Sequence, residues 1–139
     1  MSLTLAIIKP DAVASGKTGK ILTHLEEAGF TVRAMRVARL NQAQAEAFYS
    51  VHQGRPFFEE LVTFMMSGPL VPIVLEAHEA VASLRDTIGA TDPAEAAEGT
   101  IRSLYAESKG RNAIHASDSD ANAEIEIGFF FSSHERLYL

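Results

Sequence analysis

Cysteine is absent from this chain. That excludes disulfides, thiolate metal sites and cysteine nucleophiles together, and it suits a reducing compartment. An excess of positive charge is also missing: 12 Lys and Arg stand against 18 Asp and Glu, a formal net charge of −6. Bulk attraction to nucleic acid needs a basic footprint, so no nucleic-acid partner is expected. The arginines at 33, 36 and 39 are scattered and are its sole support. An anionic substrate would have to be held by a local cluster of cations inside an acidic molecule. No apolar run approaches the ~20 residues of a membrane span, so no membrane partner is expected. Gly and Pro are not in excess, which argues against fibrous or low-complexity classes. His24, His52, His78 and His134 have no ligand-like spacing, so no zinc site is read among them.

What is present is the pattern of one domain covering residues 1–139. A chain of this length buries enough surface to need no staple. Leu3–Ile8 is short, apolar and stopped by Lys9-Pro10-Asp11, the profile of a buried strand. The run is followed by Ala12-Val13-Ala14, which imitates a signal-peptidase site. No basic region precedes it, however, and Lys9, Pro10 and Asp11 interrupt the apolar core such a signal needs. A cytoplasmic protein is expected.

After a Ser15–Gly19 loop, Ile21, Leu22, Leu25 and Ala28 mark one face of a helix closed by Gly29. Phe30–Leu40 is expected to be a second strand. Asn41 with Gln44 forms a capping box opening a helix that carries Ala47, Phe48 and Val51. Pro56 is expected at the first position of the next helix, whose face is Phe57, Phe58, Leu61, Val62, Phe64 and Met65. Ser67-Gly68-Pro69 stops it. Leu70–Leu75 reads as a third strand, with Pro72 pointing to an edge or a bulge. Glu79–Ile88 reads as a helix ended by Gly89, Asp92-Pro93 as the start of a further short one, and Gly99–Tyr105 as helical. A fourth strand near Ala113–His115 leads into a helix from about Asp120 to Phe131. Four strands interleaved with helices fit an α/β (α+β) ferredoxin-like sandwich, a four-stranded antiparallel sheet with flanking helices.

Chemistry concentrates near Arg111-Asn112-Ala113-Ile114-His115-Ala116-Ser117-Asp118. A histidine at a strand end, followed by small polar residues, is open to a ligand. Imidazole can accept a phosphoryl group at neutral pH if its other nitrogen is held by an acceptor. Glu126 borders the stripe Ala123, Ile127, Phe130 and Phe131, and a carboxylate there needs a partner. Taken alone, the segment more often means a surface histidine and a solvated glutamate. Lys9, Arg85, Thr91 and Arg102 are candidate phosphate contacts, although each by itself also reads as a surface residue. Phe57 could stack on a base, but aromatics at helical spacing are usually core. Gly16-Lys17-Thr18 after the first strand imitates a phosphate-binding loop. That motif needs a glycine five positions earlier, where this chain has Asp11.

Five segments in order resemble the nucleoside diphosphate kinase family across nearly the whole chain. They are Ala6-Ile7-Ile8-Lys9-Pro10-Asp11, Arg55-Pro56-Phe57-Phe58, Ser67-Gly68-Pro69, Gly99-Thr100-Ile101-Arg102 and Asn112-Ala113-Ile114-His115-Ala116-Ser117-Asp118. The resemblance implies a nucleoside diphosphate kinase that moves a γ-phosphoryl group from ATP to a diphosphate in ping-pong fashion through phosphorylated His115, tolerating any base. It implies Glu126 holding the imidazole and Ser117 bonding that glutamate. Lys9 and Tyr49 would assist transfer. Lys9, Arg85, Thr91, Arg102 and Asn112, with Tyr49, would contact phosphates and sugar, and Phe57 would stack on the base. Magnesium (Mg2+) would ride on the nucleotide phosphates with no protein ligand, and the substrates would be nucleoside di- and triphosphates. A homo-oligomer, tetramer or hexamer built on a dimer, is implied as well. Two residues depart from the family pattern: Ala116 replaces the usual glycine after the histidine, and Lys109 stands where many relatives place an aliphatic residue beside the base. A nucleotide-binding regulatory protein and a histidine-based phosphatase are the alternatives to this kinase.

Overall fold

The computed structural model describes residues 1–136. Its strands are β1 (Ser2–Ile8), β2 (Thr31–Met35), β3 (Val71–Ala77) and β4 (Ile114–Ala116). The helices are α1 (Pro10–Ala14), α2 (Thr18–Glu27), α3 (Gln42–Phe48), α4 (Phe58–Met65), α5 (Ala80–Ile88), α6 (Ile101–Tyr105), α7 (Asp120–Phe130) and α8 (Ser133–Arg136). A single 3-10 turn, Ser50–His52, lies between α3 and α4. The sheet is antiparallel throughout, in the order β2-β3-β1-β4. This is the ferredoxin-like sandwich expected from the alternation of elements.

β1 and β3 are apolar at nearly every position because both of their faces are covered. Ala6, Ile8, Ile73 and Leu75 pack with Ile21 and Leu25 of α2 and with Leu84 and Ile88 of α5. Leu5, Ile7 and Val74 face the other way, against Val62 and Met65 of α4 and Ile127 and Phe130 of α7. The sheet therefore lies between two separate apolar layers, and β1 ends at Ile8 beside the buried Lys9, where antiparallel β3 begins.

Several local expectations are corrected. Lys9-Pro10-Asp11 does not merely stop a strand; Pro10 is the first residue of α1, a position that suits its fixed φ. Pro56 lies in a turn before α4, and Phe57 is the residue preceding that helix. The Asn41/Gln44 capping box is present with both reciprocal hydrogen bonds, at 2.8 and 2.9 Å. However, α3 ends at Phe48, Ala47 and Val51 are exposed, and the buried face is Ala45, Phe48 and Tyr49. Asp92-Pro93 starts only turns, with the Asp92 carboxylate accepting from Ala94 N–H. β2 is shorter than expected and irregular in register between Val32 and Ala34, where Arg33 pairs with Glu76 at 3.0 Å. Pro72 sits on an interior strand, not an edge. Its carbonyl accepts from Arg36 N–H at 3.3 Å and antiparallel pairing resumes at Ala38 and Leu70, so the missing donor interrupts the ladder on the β2 side.

Candidate active site

The loop before β4 is tied to the end of β1 from both sides. Lys9 N–H donates to the carbonyl of Ala113 at 2.9 Å, and Lys9 Nζ donates to Asn112 Oδ1 at 2.9 Å. Asn112 Nδ2 reaches the carbonyl of Thr91 at 3.2 Å. Between these anchors Ala113 has φ of 75°, the left-handed region that alanine rarely adopts. Its N–H donates to Asp11 Oδ2 at 3.0 Å, and Ile114 N–H folds back onto the carbonyl of Asn112 at 2.9 Å. This tight turn delivers His115 into β4 opposite Ile7. Ala116 pairs with Ala6 in the same strand and is not among the residues of positive φ.

Glu126, on α7, meets two of these side chains. Its Oε1 lies 2.7 Å from His115 Nε2 and accepts from Ser117 Oγ at 2.7 Å. A carboxylate at Nε2 keeps the proton on that nitrogen and the lone pair on Nδ1. Ser119 caps α7 by accepting from Asn122 N–H, which fixes the helix that carries the carboxylate. The imidazole is also flanked by rings, Phe48 edge-on at 5.4 Å and Tyr49 edge-on at 6.1 Å. Tyr49 is buried, and its hydroxyl has no hydrogen-bond partner among the described residues. Burial, then the charge of Glu126, raises its pKa, so the hydroxyl stays protonated and available as a donor.

Cations gather on the other side. Arg102 is buried and donates to the carbonyls of Gly89 at 3.1 Å and Ile114 at 2.8 Å, while its Nε finds no partner among the described residues. Burial and then Arg85 lower its pKa to about 10. Burial and then Arg102 lower that of Lys9 to about 8, with Asp11 opposing. Arg102 thus repels Lys9 on one side and Arg85 on the other, and an anion of several charges placed among them would offset that repulsion. Gly89 serves this cluster: its φ is 89°, and a Cβ there would stand 2.5 Å from Thr100 Oγ1. Phe57 lies apart, 45% exposed, in ring contact with His52 at 5.3 Å.

The fold therefore joins His115, Glu126 and Ser117 in one hydrogen-bonded set, and Lys9, Asn112 and the Thr91 backbone in another. Arg85 is exposed near Arg102, and Phe57 and Lys109 are surface residues. Sequence reasoning took Asp11 for a strand stop, placed Phe48 on a helix face and set His52 aside as a metal ligand, without assigning either ring to the site. An acid two residues beyond Lys9 was the only local hint of Asp11's role. Phe48 and His52 gave none, because ring contacts are set by packing. Among the described residues no group of three or more His, Asp and Glu is arranged to hold a metal ion. No helix among them is long and apolar enough to cross a membrane.

Residues 2–136 match the family model described as nucleoside diphosphate kinase. The chain belongs to the nucleoside diphosphate kinase family. It is 57% identical over 135 residues to the nucleoside diphosphate kinase of Chloroherpeton thalassium, covering 97% of this chain and 96% of that one. The Salinibacter ruber nucleoside diphosphate kinase is 52% identical, with 95% and 93% covered. Among solved structures, the Aquifex aeolicus nucleoside diphosphate kinase superposes with a TM-score of 0.94 at 47% identity, covering 96% of this chain and 97% of that one. The Halobacterium salinarum nucleoside diphosphate kinase, solved in complex with CDP, gives 0.93 at 38% identity, with 96% and 90% covered. Membership of the nucleoside diphosphate kinase family makes this chain a nucleotide-binding phosphotransferase, so the purely regulatory alternative is set aside.

Proposed function

We propose that the chain transfers the γ-phosphoryl group of ATP, or another nucleoside triphosphate, to a nucleoside diphosphate through phosphorylated His115. The observation that carries this reading is the imidazole held at Nε2 by Glu126, itself held by Ser117, with Nδ1 making no hydrogen bond among the described residues. The Nδ1 lone pair attacks the γ-phosphorus, the bond to the β,γ-bridging oxygen breaks, and the diphosphate leaves with that electron pair. A second diphosphate then attacks through a terminal oxygen, and the P–N bond returns its pair to Nδ1. The Nε2 proton stays in place throughout, and Glu126 balances the positive charge on the phosphorylated ring. Little covalent work falls to the protein, so Lys9, Arg102, Arg85 and the Tyr49 hydroxyl act by positioning phosphates and neutralising charge. Asn112 and Thr91 contact sugar and phosphate. Phe57 stacks on the base, which tolerates every base because each has a π-face.

Magnesium belongs to the substrate in this reading. No cluster of three or more His, Asp and Glu among the described residues is arranged to bind it, and it rides on the phosphates, keeps most of its waters and offsets phosphate charge. A homo-oligomer built on a dimer and a cytoplasmic site of action complete the proposal; light scattering and cell fractionation test them.

The deciding experiment is intact-mass measurement after brief incubation with MgATP, then with GDP. One phosphoryl group should appear, leave on addition of GDP and never form in His115→Ala. In Glu126→Gln it should form more slowly, because a neutral amide cannot balance the positive charge on the phosphorylated ring. A phosphoryl group that decays to free phosphate without GDP would make the protein a phosphatase. Absence of any phosphorylated species would overturn the mechanism.

A further inference from the structure

The two carboxylate oxygens of Asp11 are used unequally. The residue is 4% exposed, and Oδ2 accepts from the N–H of Ala113 at 3.0 Å. Oδ1 is buried as well and has no hydrogen-bond partner among the described residues. A buried carboxylate with only one donor is poorly compensated, and its charge must be met by a nearby cation. Lys9, two residues earlier and also buried, is that cation: burial and then Arg102 work against its ammonium form, and Asp11 favours it. The backbone links the same residues. Lys9 N–H donates to the carbonyl of Ala113 at 2.9 Å, one step past the Ile8–Ile114 pair of the β1–β4 ladder. Ala113 is therefore gripped at its carbonyl by Lys9 and at its N–H by Asp11, in the left-handed conformation that precedes His115. Pro10 stands between the two gripping residues with a fixed φ. The Asp11 carbonyl is anchored in turn by Ser15, whose N–H and Oγ donate to it at 3.1 and 2.8 Å.

We propose that Asp11 is a positioning residue for phosphoryl transfer: one buried carboxylate fixes the turn that carries His115 and supplies the countercharge of Lys9, so a single group sets the nucleophile and the phosphate-holding cation together. Asp11 acts only through Ala113 and Lys9 and does not touch the phosphoryl group. This inference rests on His115 as the phosphoryl acceptor and Lys9 as a phosphate contact. The charged groups that face Lys9 are Arg102 from α6 and Asp11 from α1, with the neutral Asn112 side chain accepting from Nζ. Asp11 is thus the one negative charge in that set, and its loss leaves Arg102 unopposed.

Substitution separates the two roles, because Asn keeps an acceptor for the Ala113 N–H but removes the charge, whereas Ala removes both. The test follows phosphorylation of His115 by MgATP, read by intact mass at low and saturating nucleotide, across the titration range of Lys9. It compares the unaltered protein with Asp11→Asn, Asp11→Ala and the double variant Asp11→Ala/Ala113→Gly. In Asp11→Asn the fall of kcat/KM with rising pH should begin at a lower pH than in the unaltered protein. Asp11→Ala should show the same shift and also slow the step at saturating MgATP, by up to about 100-fold, the cost of displacing a reacting group by ~1 Å. Adding Ala113→Gly should recover that rate and leave the pH shift in place, since glycine restores the turn and not the charge. An unmoved pH profile in Asp11→Asn overturns the proposal, and so does an undiminished rate in Asp11→Ala. Asp11→Asn is isosteric and decides the matter even where Asp11→Ala fails to fold. No phosphorylation of the unaltered protein would overturn the mechanism itself; normal phosphorylation there and in every Asp11 variant would overturn only the role of Asp11.

Discussion

Asp11 accepts the backbone N–H of Ala113 at 3.0 Å, and so holds a left-handed alanine two residues before His115. Both residues are buried. The bond compensates a conformation that costs an L-residue about 1–2 kcal/mol, and it fixes the turn that sends the histidine into β4.

Removing the acceptor and relieving the strain should therefore interact. Asp11→Ala leaves a buried N–H unpaired and should lower stability by about 1–3 kcal/mol. Ala113→Gly should be close to neutral, within about 1 kcal/mol, because glycine takes positive φ freely but loses a buried methyl. The double variant should lose less than the sum of the two, since glycine keeps the turn without Asp11. Urea unfolding of the four proteins measures the coupling; simple additivity would show that the two residues are independent.

Lys9 gives opposite pH trends for stability and binding. Burial, reinforced by Arg102 and opposed by Asp11, lowers its pKa from 10.5 to about 8. Between those values the unfolded chain holds a proton that the folded protein has released, so this group makes stability rise with pH from about 8 to 10.5. Below about 8 the buried charge is present and its burden is fully felt. Nucleotide capture needs that charge, so kcat/KM for ATP should fall as pH passes about 8. Lys9→Met should flatten both profiles. Profiles that rise or fall together would assign the titration to another group.

Ala116 occupies an extended strand position opposite Ala6, so the glycine usual in the family supplies no needed conformational freedom here. Ala116→Gly should leave the phosphorylation rate within about twofold and lower stability by about 0.5–1 kcal/mol, the ordinary cost of glycine in regular structure. A large gain in rate, followed in single-turnover phosphorylation, would mean that the methyl group obstructs the site.

Much of the fold could be read directly. The order of strands and helices followed from short apolar runs separated by glycine and proline, and the Asn41/Gln44 box marked a helix start that the structure contains. These signals work because they depend on a few neighbouring residues. Where the reading failed, distant partners decided the outcome. Pro72 was assigned to an edge or a bulge on the reasonable ground that it lacks a donor, yet β3 is interior, and the lost donor only interrupts a pairing that resumes at Ala38 and Leu70. Val51 was placed on a helix face because its spacing fits; the chain turns after Phe48 and leaves it 79% exposed.

The candidate site divides the same way. By itself the sequence determined which chemical groups exist and their order: a histidine at a strand end, a serine two residues on, a glutamate on the following helix, and the lysine that ends the first strand. Those follow from composition and local periodicity, which act over a turn or a strand. Only the tertiary structure decided that Glu126 meets Nε2, that Lys9 crosses to Asn112, that Asp11 holds a strained Ala113, and that His52 bridges Tyr49 to Phe57. The physical reason is that these contacts depend on strand register and on which helix faces pack across the sheet. Both are set by burying two apolar layers at once, and no short stretch of sequence contains that information.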